Sequence, residues 1–302
     1  MQIKDTGAKK FRPWEELPRD LEKNFPNFAR TTGIFTIPSD LEVRDLDWNH
    51  MDGLHRPNIH NSYHQSVRLA SDINFQYSFT RLGLSPLIMP IFDVKIDDGN
   101  FYQSFSIFNL FLIICSIRVE KIDESNCNQV IEWQILSHPW LRFMHKLISK
   151  RLYRLSFIQN REDIVIRRRR TELRRWGFTF DTDTPNFLNS NDLSCKIIPP
   201  SQPFSSFSID FNTLLNKEIK QIKVNLIPLY VKRVNNKLFI WPGICPHEGA
   251  KLTKNCFVQD KIICPWHNLN LGPSILSSKN PSLDLLGIKI NLIGNLIKFS
   301  NT

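Results

Sequence analysis

The sequence lacks an apolar leader: "MQIKDTGAKKFRPWEELPRD" (1–20) opens on charges and prolines where a secretory signal has a hydrophobic core. It also lacks a stretch able to span a bilayer, because its longest apolar run, "FSIFNLFLIICSI" (105–117), is short and interrupted by Asn109. Cysteine is sparse. Six thiols, at 115, 127, 195, 245, 256 and 264, fall short of the density of a secreted disulfide scaffold. Internal repeats are missing as well. These absences lead to the expectation of a soluble, cytoplasmic protein, with peripheral membrane contact still open.

What is present is an ordinary globular composition, 41% hydrophobic and 23% charged over 302 residues, enough for one to three domains. Lys and Arg number 39 against 29 Asp and Glu, a net charge of +10. That excess suits an acidic partner protein or an anionic surface. A nucleic-acid partner is not expected.

Residues 1–45 hold Pro13, Pro18, Pro26 and Pro38 without a sustained period, and read as an N-terminal arm with short helical pieces. From 65 to 135, segments rich in Ile, Phe, Val and Tyr alternate with turn clusters, which predicts an antiparallel sheet. Residues 138–175 carry apolar positions at helical spacing with no Gly or Pro after Pro139, which predicts one long helix or two joined ones. The run Arg167–Arg170, with Arg174 and Arg175, is taken as a solvated helix face, the alternative being a docking face for an acidic ferredoxin or an anionic lipid surface. Residues 184–206 are rich in Asn, Ser and Pro and read as a linker. Residues 207–302 hold short strands with Cys- and His-bearing loops between them, the pattern of a small all-β domain.

The chemistry concentrates in "CPHEGAKLTKNCFVQDKIICPWHNL" (245–269), which offers Cys245-x-His247 and then Cys264-x-x-His267. Two thiolates and two imidazoles on two loops suit either a structural zinc ion or a diiron–sulfur centre. The spacing resembles the Rieske motif. That resemblance implies a [2Fe–2S] cluster with Cys245 and Cys264 on one iron and His247 and His267 on the other. Rieske proteins of respiratory complexes add a disulfide between the loops and a serine that hydrogen-bonds a cluster sulfur. Here those positions are Ala250, Trp266 and Leu269, so the potential is expected toward the low end of a range of roughly −150 to +300 mV. In such domains both histidines reach solvent, and electrons are expected to pass by the His247 and His267 edge.

A second constellation, Asp52-x-x-His55-x-x-x-x-His60, resembles the mononuclear-iron motif of Rieske-type non-haem oxygenases. On an ideal helix five residues turn by about 140°, so the two histidines converge only if the helix ends or bends between them, for which Pro57 supplies a break. The resemblance implies that His55 and His60 bind Fe(II), that Asp52 bridges toward the Rieske cluster, and that a later carboxylate completes the facial triad. "QNREDIVIRR" (159–168) supplies Asp163, with Glu162 as the alternative; His64, Asp72, His138 and His145 are further candidates.

In that family the Rieske domain comes first, whereas here it is C-terminal. Residues 46–183 would then form a helix-grip fold, a curved antiparallel sheet around a long helix, giving an α+β chain overall. The resemblance implies oxygenation of an apolar substrate by O₂, on the guess of a carotenoid, another isoprenoid or a tetrapyrrole, in a pocket lined by the Phe-rich strands of 101–114. It implies a ferredoxin or ferredoxin reductase as donor, and a homotrimer in which electrons reach the iron of a neighbouring copy. The competing reading is a non-catalytic Rieske electron carrier or lipid-binding protein whose early histidines hold no metal.

Overall fold

The computed structural model describes residues 20–301 except 54, 61–62, 73, 83–87, 98, 125, 181–196, 201–204, 216–217, 235–236, 260 and 274–285. The N-terminal half is built on one seven-stranded antiparallel sheet in the order β1-β7-β6-β5-β4-β3-β2. Its strands are β1 (Ala29–Ser39), β2 (Tyr63–Asp72), β3 (Phe75–Leu82), β4 (Ile88–Asp97), β5 (Asn100–Ile107), β6 (Phe111–Lys121) and β7 (Cys127–Ser137). Two short helices, α1 (Val43–Met51) and α2 (Arg56–Ile59), lie between β1 and β2, and the long α3 (His145–Arg175) follows β7.

Period-two alternation decides which face of the sheet is covered. Ile113 and Cys115 on β6 and Trp133 and Ile135 on β7 join one buried cluster, which Leu141 and Leu152 cap from the α3 side. The 31-residue α3 is uninterrupted because nothing in 145–175 breaks it, and it stops at Gly177. That glycine stands at φ +85°, and the Phe178 amide returns to the Leu173 carbonyl at 3.0 Å. A left-handed glycine just past the last turn is the usual way to satisfy orphan carbonyls.

Two boundaries differ from the sequence reading. The linker expected over 184–206 holds the short strand Ile197–Ile198, with Ile197 buried in the core. Residues 29–39, placed in an arm, form β1 and pair with β7 along their whole length, from Ala29 opposite Ser137 to Ser39 opposite Cys127. The prolines that suggested irregular chain are compatible with this position: Pro38 sits at the end of an edge strand, where a missing amide costs little. Gly33 is needed there, since a Cβ would lie 2.0 Å from the Trp133 ring.

After α3, β8 (Thr179–Phe180) pairs with β9 (Ile197–Ile198), bracketing residues outside those described. The C-terminal domain is all-β, three small antiparallel sheets. Strands β10 (Phe207–Asp210), β17 (Ile288–Ile293) and β18 (Leu296–Asn301) make one, and β11 (Ile219–Val224), β12 (Ile227–Val234) and β13 (Lys237–Pro242) the second. The third is β14 (Phe257–Val258), β15 (Lys261–Ile263) and β16 (Asn270–Pro273). Its core is continuous with the preceding half: Leu173, Phe178 and Phe180 are buried among Leu229, Val231, Ile240 and Phe299. No helix among the described residues is long and apolar enough to cross a membrane.

Candidate metal centres

The two ligand loops of the C-terminal domain repeat one backbone design. In the first, the Gly249 amide donates to the Cys245 carbonyl at 2.9 Å and the Cys245 amide donates to the Ala250 carbonyl at 2.8 Å. In the second, Asn268 donates to Cys264 at 2.9 Å and Cys264 to Leu269 at 2.9 Å. Each turn needs a left-handed residue at the same place, Gly249 at φ +87° and Asn268 at φ +53°. Gly249 has a second constraint, because a Cβ would meet Leu173 Cδ1 at 2.5 Å.

The loops bring all four predicted ligands together, Cys245, His247 and Cys264 buried and His267 partly so. His247 and His267 stack edge to face with ring centroids 5.0 Å apart, and His267 Nδ1 lies 4.0 Å from Cys264 Sγ. His247 Nδ1 is buried without a hydrogen-bond partner. A hydrogen bond from Cys245 first, and then the His267 imidazole, hold the Cys264 thiol well below its usual range against burial. A thiol so biased to thiolate, beside an unpaired imidazole nitrogen, is the donor set that iron requires. No disulfide ties the loops, since Cys245 and Cys264 are free thiols and Ala250 and Trp266 offer none.

The histidine edge is not open, contrary to the expectation for such domains. His267 is covered by the N-terminal half: its Nε2 donates to Asp52 Oδ2 at 2.8 Å and lies 3.2 Å from Glu248 Oε2. Burial opposes a charge on His267, and Asp52, then Cys264 and Glu248, nonetheless raise its pKa well above the ordinary value. Glu248 is itself buried, and its Oε1 accepts from Trp48 Nε1 at 3.0 Å.

The second constellation assembles between α1, α2 and α3. Pro57 does not break a helix; it stands in the first turn of α2, whose two ends are His55 and His60. A single turn therefore separates the imidazoles, and their centroids are 5.4 Å apart. Asp163, on α3, faces both: its Oδ1 is 3.3 Å from His55 Nε2 and 3.2 Å from His60 Nε2. The opposite nitrogens meet carboxylates. His55 Nδ1 is 3.2 Å from Asp52 Oδ2, and His60 Nδ1 donates to Glu162 Oε2 at 3.0 Å. This sorts the two acids of the sequence: Asp163 faces the converging nitrogens, and Glu162 orients a ring from behind.

Glu162 places the His60 proton on Nδ1 and its lone pair on Nε2, and Asp52, 3.2 Å behind His55 Nδ1, favours the same tautomer there. His55 Nε2 also takes a 3.4 Å contact from the Asn49 amide nitrogen, as an acceptor does. Two imidazole lone pairs and an unpartnered carboxylate oxygen, Asp163 Oδ1, thus point at one another in a buried space. While both rings are neutral this arrangement is repulsive unless a cation sits between them, and the residues fit a divalent metal ion. Burial penalises protonation of His55, yet Asp163 and Asp52 raise its pKa, which shows how strongly positive charge is favoured here. Asp163 is held well below the usual carboxylate range: burial opposes ionisation, and Arg167 together with the His55 and His60 rings outweighs it.

Arg167 corrects the solvated-face reading of the arginine run. It is 1% exposed and makes a 2.9 Å bond to Asp163 Oδ2, with further bonds to Asn49 and Asn160 at 2.6 and 2.8 Å. Arg170 is also fully buried, between Trp48 and Phe180 with ring distances of 4.1 and 3.7 Å and beside Asp45. Arg168 and Arg175 do lie in solvent as expected, Arg168 paired with Asp40 at 2.9 Å. The signal for burial was in the spacing: Asn160, Asp163, Arg167, Arg170 and Arg174 form one stripe of α3.

A cavity of about 80 Å³ opens at the three converging atoms. Its lining includes Asn49, His50, Gln103, Gln129, Gln159 and Asn160, with Ile117 and Ile131 as its main apolar contribution. The expectation of an apolar pocket lined by Phe-rich strands does not hold for it: β5 presents Gln103, while Phe101 is buried against His50. The other candidates stand apart. His145 bonds Thr31 and Ser137 at 2.8 and 2.7 Å, His138 is exposed, and the side chains of His64 and Asp72 lie outside those described.

The family model of the Rieske [2Fe-2S] domain matches residues 209–283, which contain Cys245, His247, Cys264 and His267. The chain therefore carries a C-terminal Rieske [2Fe–2S] domain, a module of iron–sulfur electron transfer found in oxidoreductases. No curated protein sequence matches the chain at a significant level. Among solved structures, it is similar to truncated norcoclaurine synthase from Thalictrum flavum, at 8% identity over 46% of this chain and 95% of that one, with a TM-score of 0.38. It is similar to the ZhuI aromatase/cyclase from Streptomyces sp. R1128 at 12% identity over 47% and 96% of the two chains, TM-score 0.39. A START superfamily protein from Mycobacterium smegmatis is similar at 6% identity over 43% and 97%, TM-score 0.33.

Proposed function

We propose that the chain is a Rieske-type non-haem iron oxygenase, with a mononuclear Fe(II) held by His55, His60 and Asp163. The observation that carries this reading is the convergence of His55 Nε2, His60 Nε2 and Asp163 Oδ1, each imidazole backed by its own carboxylate. Two histidines and one carboxylate on one face leave the opposite positions open, the ligand set of non-haem iron enzymes that use O₂. Bound there, ferrous iron would supply the O₂ activation needed to oxygenate a C–H bond.

The protein's own residues bind, orient and screen. Glu162 accepts the Nδ1 proton of His60 and Asp52 stands 3.2 Å behind Nδ1 of His55, so each ring has a carboxylate at its back before any metal arrives. Arg167 occupies Asp163 Oδ2 and leaves Oδ1 as the free donor. His50, whose pKa burial and then Arg167 push well below the ordinary value, stays neutral and accepts from the Gln129 amide at 2.9 Å. The cavity's amides then suit a compact, hydrogen-bonding substrate rather than an extended isoprenoid.

Electron supply falls to an acidic redox protein such as a ferredoxin, or to its reductase. A cleft of about 510 Å³ beside the second ligand loop supports this, since Trp266 lines it together with four cations, Arg168, Arg169, Arg175 and Lys251, against two acids, Asp40 and Glu172, which pair with Arg168 and Arg169. Opposite charges on the donor would steer it there and make reduction depend on salt.

Iron counting tests the reading. About three irons per chain, falling to two in His55→Ala with the Rieske absorption unchanged, is the expected result. Two irons in the unaltered protein would leave a Rieske electron carrier without a catalytic ion.

A further inference from the structure

We propose that one copy of this chain joins its own two metal-ligand sets through Asp52, so that a monomer is the complete functional unit. The inference rests on the oxygenase reading above and departs from the arrangement its family resemblance implies, in which a neighbouring copy supplies the electrons.

A single oxygen, Asp52 Oδ2, lies 2.8 Å from His267 Nε2 and 3.2 Å from His55 Nδ1. His267 is a ligand of the Rieske site and His55 of the candidate iron site, and both belong to the same chain. One carboxylate oxygen therefore spans the gap that the family fills between subunits. Glu248 adds a second tie, with one oxygen 3.2 Å from His267 Nε2 and the other on Trp48 of α1.

The chain's path makes an exchange of domains between copies costly. Asp163 stands on α3, and ten residues later Leu173 of the same helix is already buried in the core of the Rieske domain, followed by Phe178 and Phe180. A Rieske domain donated to a neighbour would have to take the end of α3 with it. It would also have to open a joint in which Asp45, Trp48 and Arg170 are all 0% exposed, with Asp45 accepting from Thr171 at 2.8 Å and Arg174 at 3.0 Å. Removing one partner from such a buried charge network is strongly destabilising.

The test compares one chain with two. His55→Ala keeps the Rieske ligands and Cys264→Ser keeps the iron ligands. In dithionite-reduced protein treated with nitric oxide, an iron nitrosyl near the cluster speeds the spin relaxation of the Rieske paramagnetic signal. We expect that enhancement in the unaltered protein at every step of an about hundredfold dilution, together with a monomer in sedimentation. An equimolar mixture of the two variants should show neither the enhancement nor O₂-dependent reoxidation of the cluster. Recovery of both in the mixture, or their loss on dilution of the unaltered protein, overturns the proposal while leaving the oxygenase reading intact. Two irons per unaltered chain overturns both. If Cys264→Ser fails to fold, the dilution series alone decides.

Discussion

The two ligand sets of this chain are built in opposite ways. The Rieske ligands all lie between Cys245 and His267, and backbone turns hold them: paired amide–carbonyl bonds and a left-handed residue in each loop. The candidate iron site draws on residues as far apart as His60 and Glu162, 102 positions away, and side chains hold it through a buried network of charge. A site made of backbone turns is fixed once its strands form. One made of buried charges depends on every partner being present, because each one removed leaves another unpaired.

The largest expected separation of the two comes from Arg167→Met. It strands Asp163 and the amides of Asn49 and Asn160 without their common partner, at a cost of about 3–5 kcal/mol for a broken buried pair. Denaturant melts should show the loss, and the protein that remains folded should keep its Rieske spectrum while binding less of the third iron. Glu162→Gln sharpens the contrast more gently. It weakens the acceptor behind His60 and should lower ferrous affinity by about 10–100-fold in a titration, with the cluster's absorption unmoved.

Gly249→Ala attacks the other design. The backbone is left-handed there and the added methyl presses on Leu173, so about 1–3 kcal/mol of stability should be lost. Cluster loading should fall with it while the iron site, set by side chains elsewhere, loads normally.

The smallest effect is one of pH. Burial, and then Arg142, lower the pKa of His145 from 6.5, so it is neutral in the folded state where the unfolded chain would take up a proton. Its contribution is whole above pH 6.5 and is lost as the pH falls through the folded value. The melting temperature of the unaltered protein should therefore decline below pH 6.5, and His145→Gln, which can still bond Thr31 or Ser137, should flatten part of that decline.

The same contrast governs what the sequence disclosed. The Rieske loops were legible because their ligands, prolines and turn residues lie in one short string, and a local string encodes a local geometry. The long helix and the antiparallel sheet were legible by period. His55, His60 and Asp163 could be proposed only by resemblance, since nothing local to Asp163 says that α3 meets α2. The arginine run misled because a string of like charges is usually solvated; its burial depends on Asp45 and Asp163, one of them 125 positions from Arg170. Glu248 was passed over as a loop residue, although its place beside His247 was visible. The polar cavity was hidden for the same reason as β1: each is defined by what lies opposite, Gln103 by β6 and Ile34 by β7.

Phe180 and Ile197 are cross-strand partners, flanking on either side the stretch that links the two halves. A nick between them would sever the polypeptide without releasing either fragment, for the first would leave with Leu173, Phe178 and Phe180 embedded in the second. The halves should migrate together on a native gel after such cleavage. What looks in the sequence like a detachable electron-transfer module is thus inseparable from its companion, and grafting it onto another protein would mean moving the tip of the long helix as well.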